Sequence, residues 1–306
     1  MEDSWSCKRG WTVTPLGISL LILLSLCLLA AWRMAVYPPS LEQSTLAQAQ
    51  QRGVIRIGYA NEAPYGYLDT ATGQVSGEAP EVAREVLRRM GVARVEPVVT
   101  EFGSLIPGLK AGRFDIIAAG MYITPPRCKE IAFSNPTYVI GEAFIVRRGN
   151  PLELHSFEDV AAHPTARIGF VGGTVEHGYA RSVGIPEERI SLFPDNISSL
   201  TAVRTGRIDA AAATRLTVHN LLEKSQADDL ERADPFYDPR INGRVEQGYG
   251  GFGFRLRDRE FVEQFNQELA RFLGTPEHLE LTRPFGISEE TLPGNITAAD
   301  LCEGGP

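Results

Sequence analysis

The stretch Gly112-Arg113-Phe114-Asp115-Ile116-Ile117-Ala118-Ala119-Gly120-Met121-Tyr122-Ile123-Thr124-Pro125-Pro126-Arg127-Cys128 decides how this chain is read. Ile116 to Ala119 is a short apolar run behind a Gly-Arg turn, the pattern of a buried strand. Gly120 closes the run. Thr124 ahead of Pro125 and Pro126 reads as an N-cap with prolines in the first helical turn. The strand then delivers Tyr122 and Arg127 to its carboxyl end, the edge where ligands bind in open α/β sheets. An arginine fork beside unsatisfied backbone N–H groups suits a carboxylate. A surface arginine next to a turn is the other reading of the same residues.

Upstream, Val54 to Tyr59 reads as the first strand. It runs into Ala60-Asn61-Glu62-Ala63-Pro64-Tyr65-Gly66-Tyr67, a loop of turn formers in which tyrosines crowd one carboxylate. Such a loop suits binding better than a merely solvated turn does. Pro80 to Gly91 has its Val and Leu on one helical face and a terminating glycine. Arg94 to Val99 is the next strand, at an edge because of Pro97. Phe102 follows, with the pattern of a core residue, and then a short helix to Leu109. Downstream, Tyr138 to Val146 reads as one long strand linking two lobes. Arg167 to Val171 is another strand, and Gly172-Gly173-Thr174 opens a helix to about Ser182, an arrangement that suits an anion or a plain turn.

An internal echo supports two similar βα lobes. The helix and turn from Ser104 through Gly112-Arg113-Phe114-Asp115 recur from Ser199 through Gly206-Arg207-Ile208-Asp209. Asp115 and Asp209 are expected to hold these turns. The glycine-rich segment Gln247 to Arg255 is strand-like and carries the chain back to the first lobe. Glu260 to Leu273 is an amphipathic helix.

The chain has 306 residues and a net charge of −8, and no basic cluster points to nucleic acid. Residues 12–31 are almost uncharged and long enough to span a bilayer. Trp11 and Trp32 flank them, and Lys8 and Arg9 favour a cytoplasmic start with the remainder exported. A cleaved signal peptide is the rival reading. However, no Ala-x-Ala site follows the apolar run closely, Ala47-Gln48-Ala49 being far downstream, and bulky Leu26 spoils Ser25-Leu26-Cys27 as a lipoprotein signal. We expect residues 1–32 to be a signal-anchor or signal peptide and 33–52 a polar linker. No metal-ligand spacing occurs among the four cysteines and five histidines, so neither metal nor cofactor is expected.

The loop Tyr59 to Tyr65, the run Ile106-Pro107-Gly108-Leu109 with Ala111-Gly112-Arg113, and Thr124-Pro125-Pro126-Arg127 together resemble the polar-amino-acid class (family 3) of ABC-transporter solute-binding proteins. The likeness spans about residues 53 to 302. Within that class, Ala60-Asn61-Glu62, Ala119-Gly120-Met121-Tyr122, Arg127-Cys128, Gly141-Glu142-Ala143-Phe144 and Leu301-Cys302 are most similar to the ectoine/hydroxyectoine binders.

The resemblance implies an α/β fold of the type II periplasmic-binding-protein kind, with an N-terminal apolar helix. Lobe 1 would span 53–140 and 250–306 and lobe 2 would span 141–249, joined by two hinge strands that close on ligand. Arg127 would take the ligand carboxylate, helped by backbone donors near Thr124 and Thr174. Glu62 would face the cationic nitrogens, and Tyr65, Phe102 and Tyr122 would form an aromatic box. Cys128 and Cys302, the only cysteines of the exported part, are expected to pair as the last segment returns to lobe 1. Amino-acid binders of the class usually hold the α-ammonium with an aspartate where this chain has Thr214. That substitution suits a delocalised cation without a free α-ammonium, for which aromatic faces compensate.

The implied protein is a monomeric, exported receptor for an ectoine-like zwitterion. It would partner ABC permease subunits and lie in the periplasm or on the outer face of the cytoplasmic membrane. The alternatives are a receptor for a betaine or another amino acid, and an enzyme like the cyclohexadienyl dehydratases of the same fold, with Glu62 as general acid.

Overall fold

The computed structural model of the protein describes residues 44–304 apart from Asn242. The apolar segment 12–31 lies outside the described residues, and among them no helix is long and apolar enough to cross a membrane.

The chain forms two α/β lobes, each built on its own twisted sheet. In the first sheet the strands lie in the order Arg94–Val99, Val54–Tyr59, Ile116–Tyr122, Gly248–Phe254, Ala132–Phe133. In the second they run Ile190–Phe193, Ile168–Val171, Ala210–Thr214, Glu142–Arg147, Leu230–Arg232. Each sheet has three parallel strands joined to an antiparallel fourth. The parallel strands need crossover helices, which cover the sheet faces. The helix Glu78–Arg89 shows how: Val82, Ala83, Val86 and Leu87 fall on one side and are all fully buried against the first sheet. Burying a side chain of the Val or Leu kind is worth about 1.5–3 kcal/mol.

The two turns of the internal echo do the same job in both lobes. Asp115 accepts from the backbone N–H of Arg56 at 3.3 Å, and Asp209 from that of Arg167 at 2.9 Å. In each case a turn carboxylate pins the start of the neighbouring parallel strand. Arg255 adds a second grip on Asp115 at 3.0 Å.

Two expectations about the chain's course are corrected. The polar linker does not run to residue 52, because Thr45–Arg52 is a helix. Ser44 caps it by accepting from the N–H of Ala47 at 3.2 Å, Gly53 ends it in the left-handed region, and Leu46 and Ala49 enter the first core. A polar composition hid a single buried stripe. Nor is Tyr138 to Val146 one strand. It breaks at Gly141 into Tyr138–Ile140, which pairs with Gly248–Phe254, and Glu142–Arg147, which joins the second sheet. The two crossings between lobes therefore lie near Gly141 and just before Gly248.

A disulfide joins Cys128 to Cys302, whose Cα atoms are 5.7 Å apart. It ties the short helix Ala298–Cys302 to the turn Pro125–Cys128.

One buried acid sets a pH dependence. Glu78 is 2% exposed, and its carboxylate accepts the hydroxyl of Thr137 at 2.9 Å. Burial lifts its pKa from 4.5 to about 7, against the opposing pull of that hydroxyl. The folded chain thus holds a proton that the unfolded chain has already released. Stability from this group is full below about pH 4.5 and lost as pH rises through 7, a difference of about 3 kcal/mol. Glu78→Gln is expected to flatten that part of the profile. Urea unfolding between pH 5 and 8 measures it, and an unchanged pH slope in the variant would refute the assignment.

Candidate functional site

The parallel strands of both sheets end at the face where the lobes meet. The loop after Val54–Tyr59 supplies Glu62 and Tyr65, and the segment after Arg94–Val99 supplies Phe102. The end of Ile116–Tyr122 and the turn after it supply Tyr122 and Arg127. From the second lobe, Thr174 and Glu176 follow Ile168–Val171, and Thr214 ends Ala210–Thr214. Glu62, Tyr65, Phe102, Tyr122, Arg127 and Thr174 line one small cavity together with Glu176 and Thr214. Thr124 is not among its lining residues.

The lobes touch through side chains and backbone. Tyr65 donates its hydroxyl to Thr214 Oγ1 at 3.0 Å, and Thr217 donates to Glu62 Oε1 at 3.3 Å. Arg127 donates to the carbonyls of Tyr122 at 2.8 Å and of Gly173, on the other lobe, at 3.0 Å. Its guanidinium carbon lies 5.5 Å from the ring centroid of Phe102. A Cβ at Gly103 would stand 3.2 Å from the carbonyl oxygen of Gly172, so the two lobes meet there main chain to main chain. The cavity left between them is about 20 Å³, space for about one water molecule. A solute of amino-acid size therefore enters only with the lobes apart. A wider cleft of about 980 Å³ adjoins it and shares Glu62 and Phe102.

Arg127 sits in a setting different from the one its sequence suggests. The helix Pro125–Cys128 is a single turn, Thr124 makes no side-chain cap, and the two prolines carry no N–H. Helix-terminal donors are thus scarce, and a carboxylate here rests on the guanidinium fork. Two of the five guanidinium N–H groups are engaged with carbonyls, leaving three for a ligand. Thr174 turns its own hydroxyl back onto the carbonyl of Val171 at 2.8 Å.

The aromatic walls are held from behind. Tyr65 stacks on Tyr138 with centroids 5.1 Å apart, and the Tyr138 hydroxyl donates to the carbonyl of Gly120 at 2.9 Å. Tyr122 donates to the carbonyl of Ile140 at 3.3 Å and lies flat on the return strand. A Cβ at Gly248 would be 1.8 Å from the Tyr122 ring, and one at Gly250 2.1 Å from that of Tyr138. Gly248→Ala is therefore expected to push Tyr122 into the cavity, with an overpacking cost of about 1–3 kcal/mol. Denaturant unfolding and ligand titration of the variant check this. Wild-type values in both would show that Tyr122 is free to move.

Glu62 carries the main electrostatic signal. Burial and then the nearby Glu176 raise its pKa from 4.5 to about 7, while the hydroxyl of Thr217 and the side chain of Asn196 pull it down. Thr214 is also the N-cap of the helix Arg215–Ser225, accepting from the N–H of Thr217 at 3.2 Å. Among the described residues, no cluster of His, Cys, Asp and Glu is arranged to hold a metal ion.

The bacterial extracellular solute-binding proteins, family 3, match residues 55–285. The chain is a family 3 bacterial extracellular solute-binding protein. As such it is an extracytoplasmic solute-binding protein of the amino-acid ABC type, and its sheets have the type II periplasmic-binding-protein fold.

A curated relative, a probable amino-acid ABC transporter periplasmic-binding protein, y4tE, of Sinorhizobium fredii (strain NBRC 101917 / NGR234), is 39% identical over 262 residues. The match covers 84% of this chain and 86% of the relative. A crystal structure of EhuB in complex with hydroxyectoine superposes with a TM-score of 0.77 at 36% identity, covering 84% of this chain and 97% of that one. An ancestral amino-acid-binding protein, described as a precursor of cyclohexadienyl dehydratase, gives 0.69 at 27% identity, with coverage of 79% and 99%.

Several groups of this solute-binding protein escape a reading of its sequence. Glu176 stands two residues beyond the Gly-Gly-Thr turn, where an acid signals nothing by pattern. Tyr138 reads as an ordinary strand residue. Gly248 and Gly250 alternate along a strand, a spacing that does hint at bulky neighbours on one face.

Proposed function

We propose that this protein is the extracytoplasmic receptor of an ABC importer, and that it captures ectoine or a closely similar cyclic zwitterion by closure of its two lobes. The lobe assignment is 53–140 with 250–306 against 141–249. The observation that carries the reading is the guanidinium of Arg127 and the carboxyl group of Glu62 facing the same aromatic-walled cavity, with Thr214 on its far wall. Arg127 takes the ligand carboxylate, Glu62 accepts from the ring nitrogens, and Tyr65, Phe102 and Tyr122 lie against the delocalised charge. Thr174 completes the assigned set from the main chain, and Thr124, which does not line the cavity, drops out of it. The likeness to EhuB in complex with hydroxyectoine supports this choice of ligand class.

Titration calorimetry of the full-length protein with ectoine, hydroxyectoine, glycine betaine, proline and glutamine tests the proposal. Ectoine should bind more tightly than proline or glutamine. Tight binding of glutamine with no response to ectoine would overturn it.

The second reading is an enzyme of the cyclohexadienyl dehydratase kind. It is favoured by the pKa of Glu62, raised to about 7 as suits a general acid, and by the likeness to the ancestral precursor. Turnover of prephenate or arogenate by purified protein would establish it. We further assign residues 12–31 as an uncleaved anchor holding a monomeric receptor beside its permease. A mature N-terminus between Ala31 and Gln50 would exclude the anchor.

A further inference from the structure

Glu62 is not the only acid at this cavity. Glu176 is 4% exposed, opens the helix Glu176–Ser182 and lines the same space, and its Oε2 is buried with no hydrogen-bond partner. Behind it, Glu142 is 1% exposed and neither of its carboxylate oxygens has a partner. Glu142 is fixed by its place in the second sheet, opposite Thr214, and by the carboxylate of Asp238 on its backbone N–H at 2.7 Å. The guanidinium of Arg127 is bonded to carbonyls.

A buried carboxylate oxygen left without a partner is destabilising, so Glu176 Oε2 beside a ligand cavity calls for a functional reason. Burial, and then each other's charge, raises the pKa of Glu142. Burial raises that of Glu176 too, against the Thr174 hydroxyl and Arg127. The two carboxyl groups lie close enough to share a hydrogen bond, so their protons come off as those of a pair. With Glu62, the lining places two acids beside the single guanidinium of Arg127.

We infer that Glu176, backed by Glu142, is a second receptor for the ligand's cationic group, so that the closed site selects carboxylates whose positive charge carries two divergent N–H donors. The inference rests on the reading of this cleft as a zwitterion site. One acid comes from each lobe: Glu62 from the first and Glu176 from the second. An amidinium or guanidinium gives one N–H to each and so binds the closed state better than the open one, which is what a closing ligand must do. A quaternary ammonium has no N–H to give either acid.

The test is titration calorimetry of the full-length protein and its Glu176→Gln and Glu142→Gln variants, with ectoine, arginine and glycine betaine as probes. Wild type should bind ectoine or arginine at least tenfold more tightly than glycine betaine. Glu176→Gln should lose at least tenfold for the N–H probe and change little for glycine betaine. Glu142→Gln, which leaves the charge on Glu176, should stay within about threefold of wild type. The ligand-free Glu176→Gln protein should melt no lower than wild type at pH 8, since an amide relieves the burial of a carboxyl group with one unpartnered oxygen. The inference is overturned if Glu176→Gln binds the N–H probe as wild type does, if the variant melts lower, or if wild type ignores both N–H probes. Arginine binding without ectoine binding would remove the ectoine assignment and leave this inference standing. Ectoine binding unaffected in Glu176→Gln would do the reverse.

Discussion

Arg127→Ala is expected to weaken binding of the zwitterion by at least tenfold, and by as much as three orders of magnitude. Removing one partner of a buried charged pair typically costs about 2–5 kcal/mol, and about 1.4 kcal/mol is a factor of ten. Three effects act together here. The ligand carboxylate loses its guanidinium fork, and the single proline-started turn has few backbone donors to replace it. The ring of Phe102 loses the cation lying 5.5 Å above it. The first lobe also loses its bond to the carbonyl of Gly173, which contributes only when the lobes are together. Arg127→Lys should recover part of the affinity, because it keeps the charge without the fork. Calorimetric titration of folded variants measures both. An Arg127→Ala protein that binds ectoine as tightly as wild type would remove Arg127 from the site.

Breaking the Cys128–Cys302 bond is expected to lower stability by about 4–5 kcal/mol on chain-entropy grounds, because the bond closes a loop with a sequence separation of 174. The effect should reach the site. Cys128 adjoins Arg127 in the same four-residue turn, and the helix Ala298–Cys302 is the element to which the bond fastens that turn. Cys302→Ser should therefore reduce both the unfolding free energy and the affinity. Urea unfolding with and without reductant measures the first, and ligand titration the second. Two free thiols in the exported protein, found by mass spectrometry of non-reduced peptides, would exclude the bond in the mature receptor.

Much of the fold was legible because short-range patterns carried it. Apolar runs bounded by glycine marked the strands Ile116–Tyr122 and Ile168–Val171, and the repeated Gly-Arg-apolar-Asp turn revealed two related lobes. The turn aspartates act as their positions suggest, each pinning a neighbouring strand. The helix Thr45–Arg52 was hidden because only Leu46 and Ala49 of its eight residues are buried, too few to stand out from a polar stretch. The break at Gly141 was hidden because a strand that changes sheets keeps its apolar pattern on both sides of the crossing.

For the site, local chemistry identified one side of each contact. An arginine after a strand, a glutamate among tyrosines and a threonine at a strand end all speak through residue type and neighbours in the chain. Which groups meet depends on closure between segments far apart in sequence. Tyr65 reaches Thr214, Glu62 reaches Thr217, and Arg127 reaches Gly173 only when the two sheets are folded and apposed. The raised pKa of Glu62, and the unpartnered oxygens of Glu142 and Glu176, arise from burial, which no stretch of residues encodes alone. Chain-local spacing thus specified the strands, turns and candidate chemistry. Desolvation and cross-lobe contact, which exist only in the assembled fold, set which acids line the ligand space and how far burial shifts them.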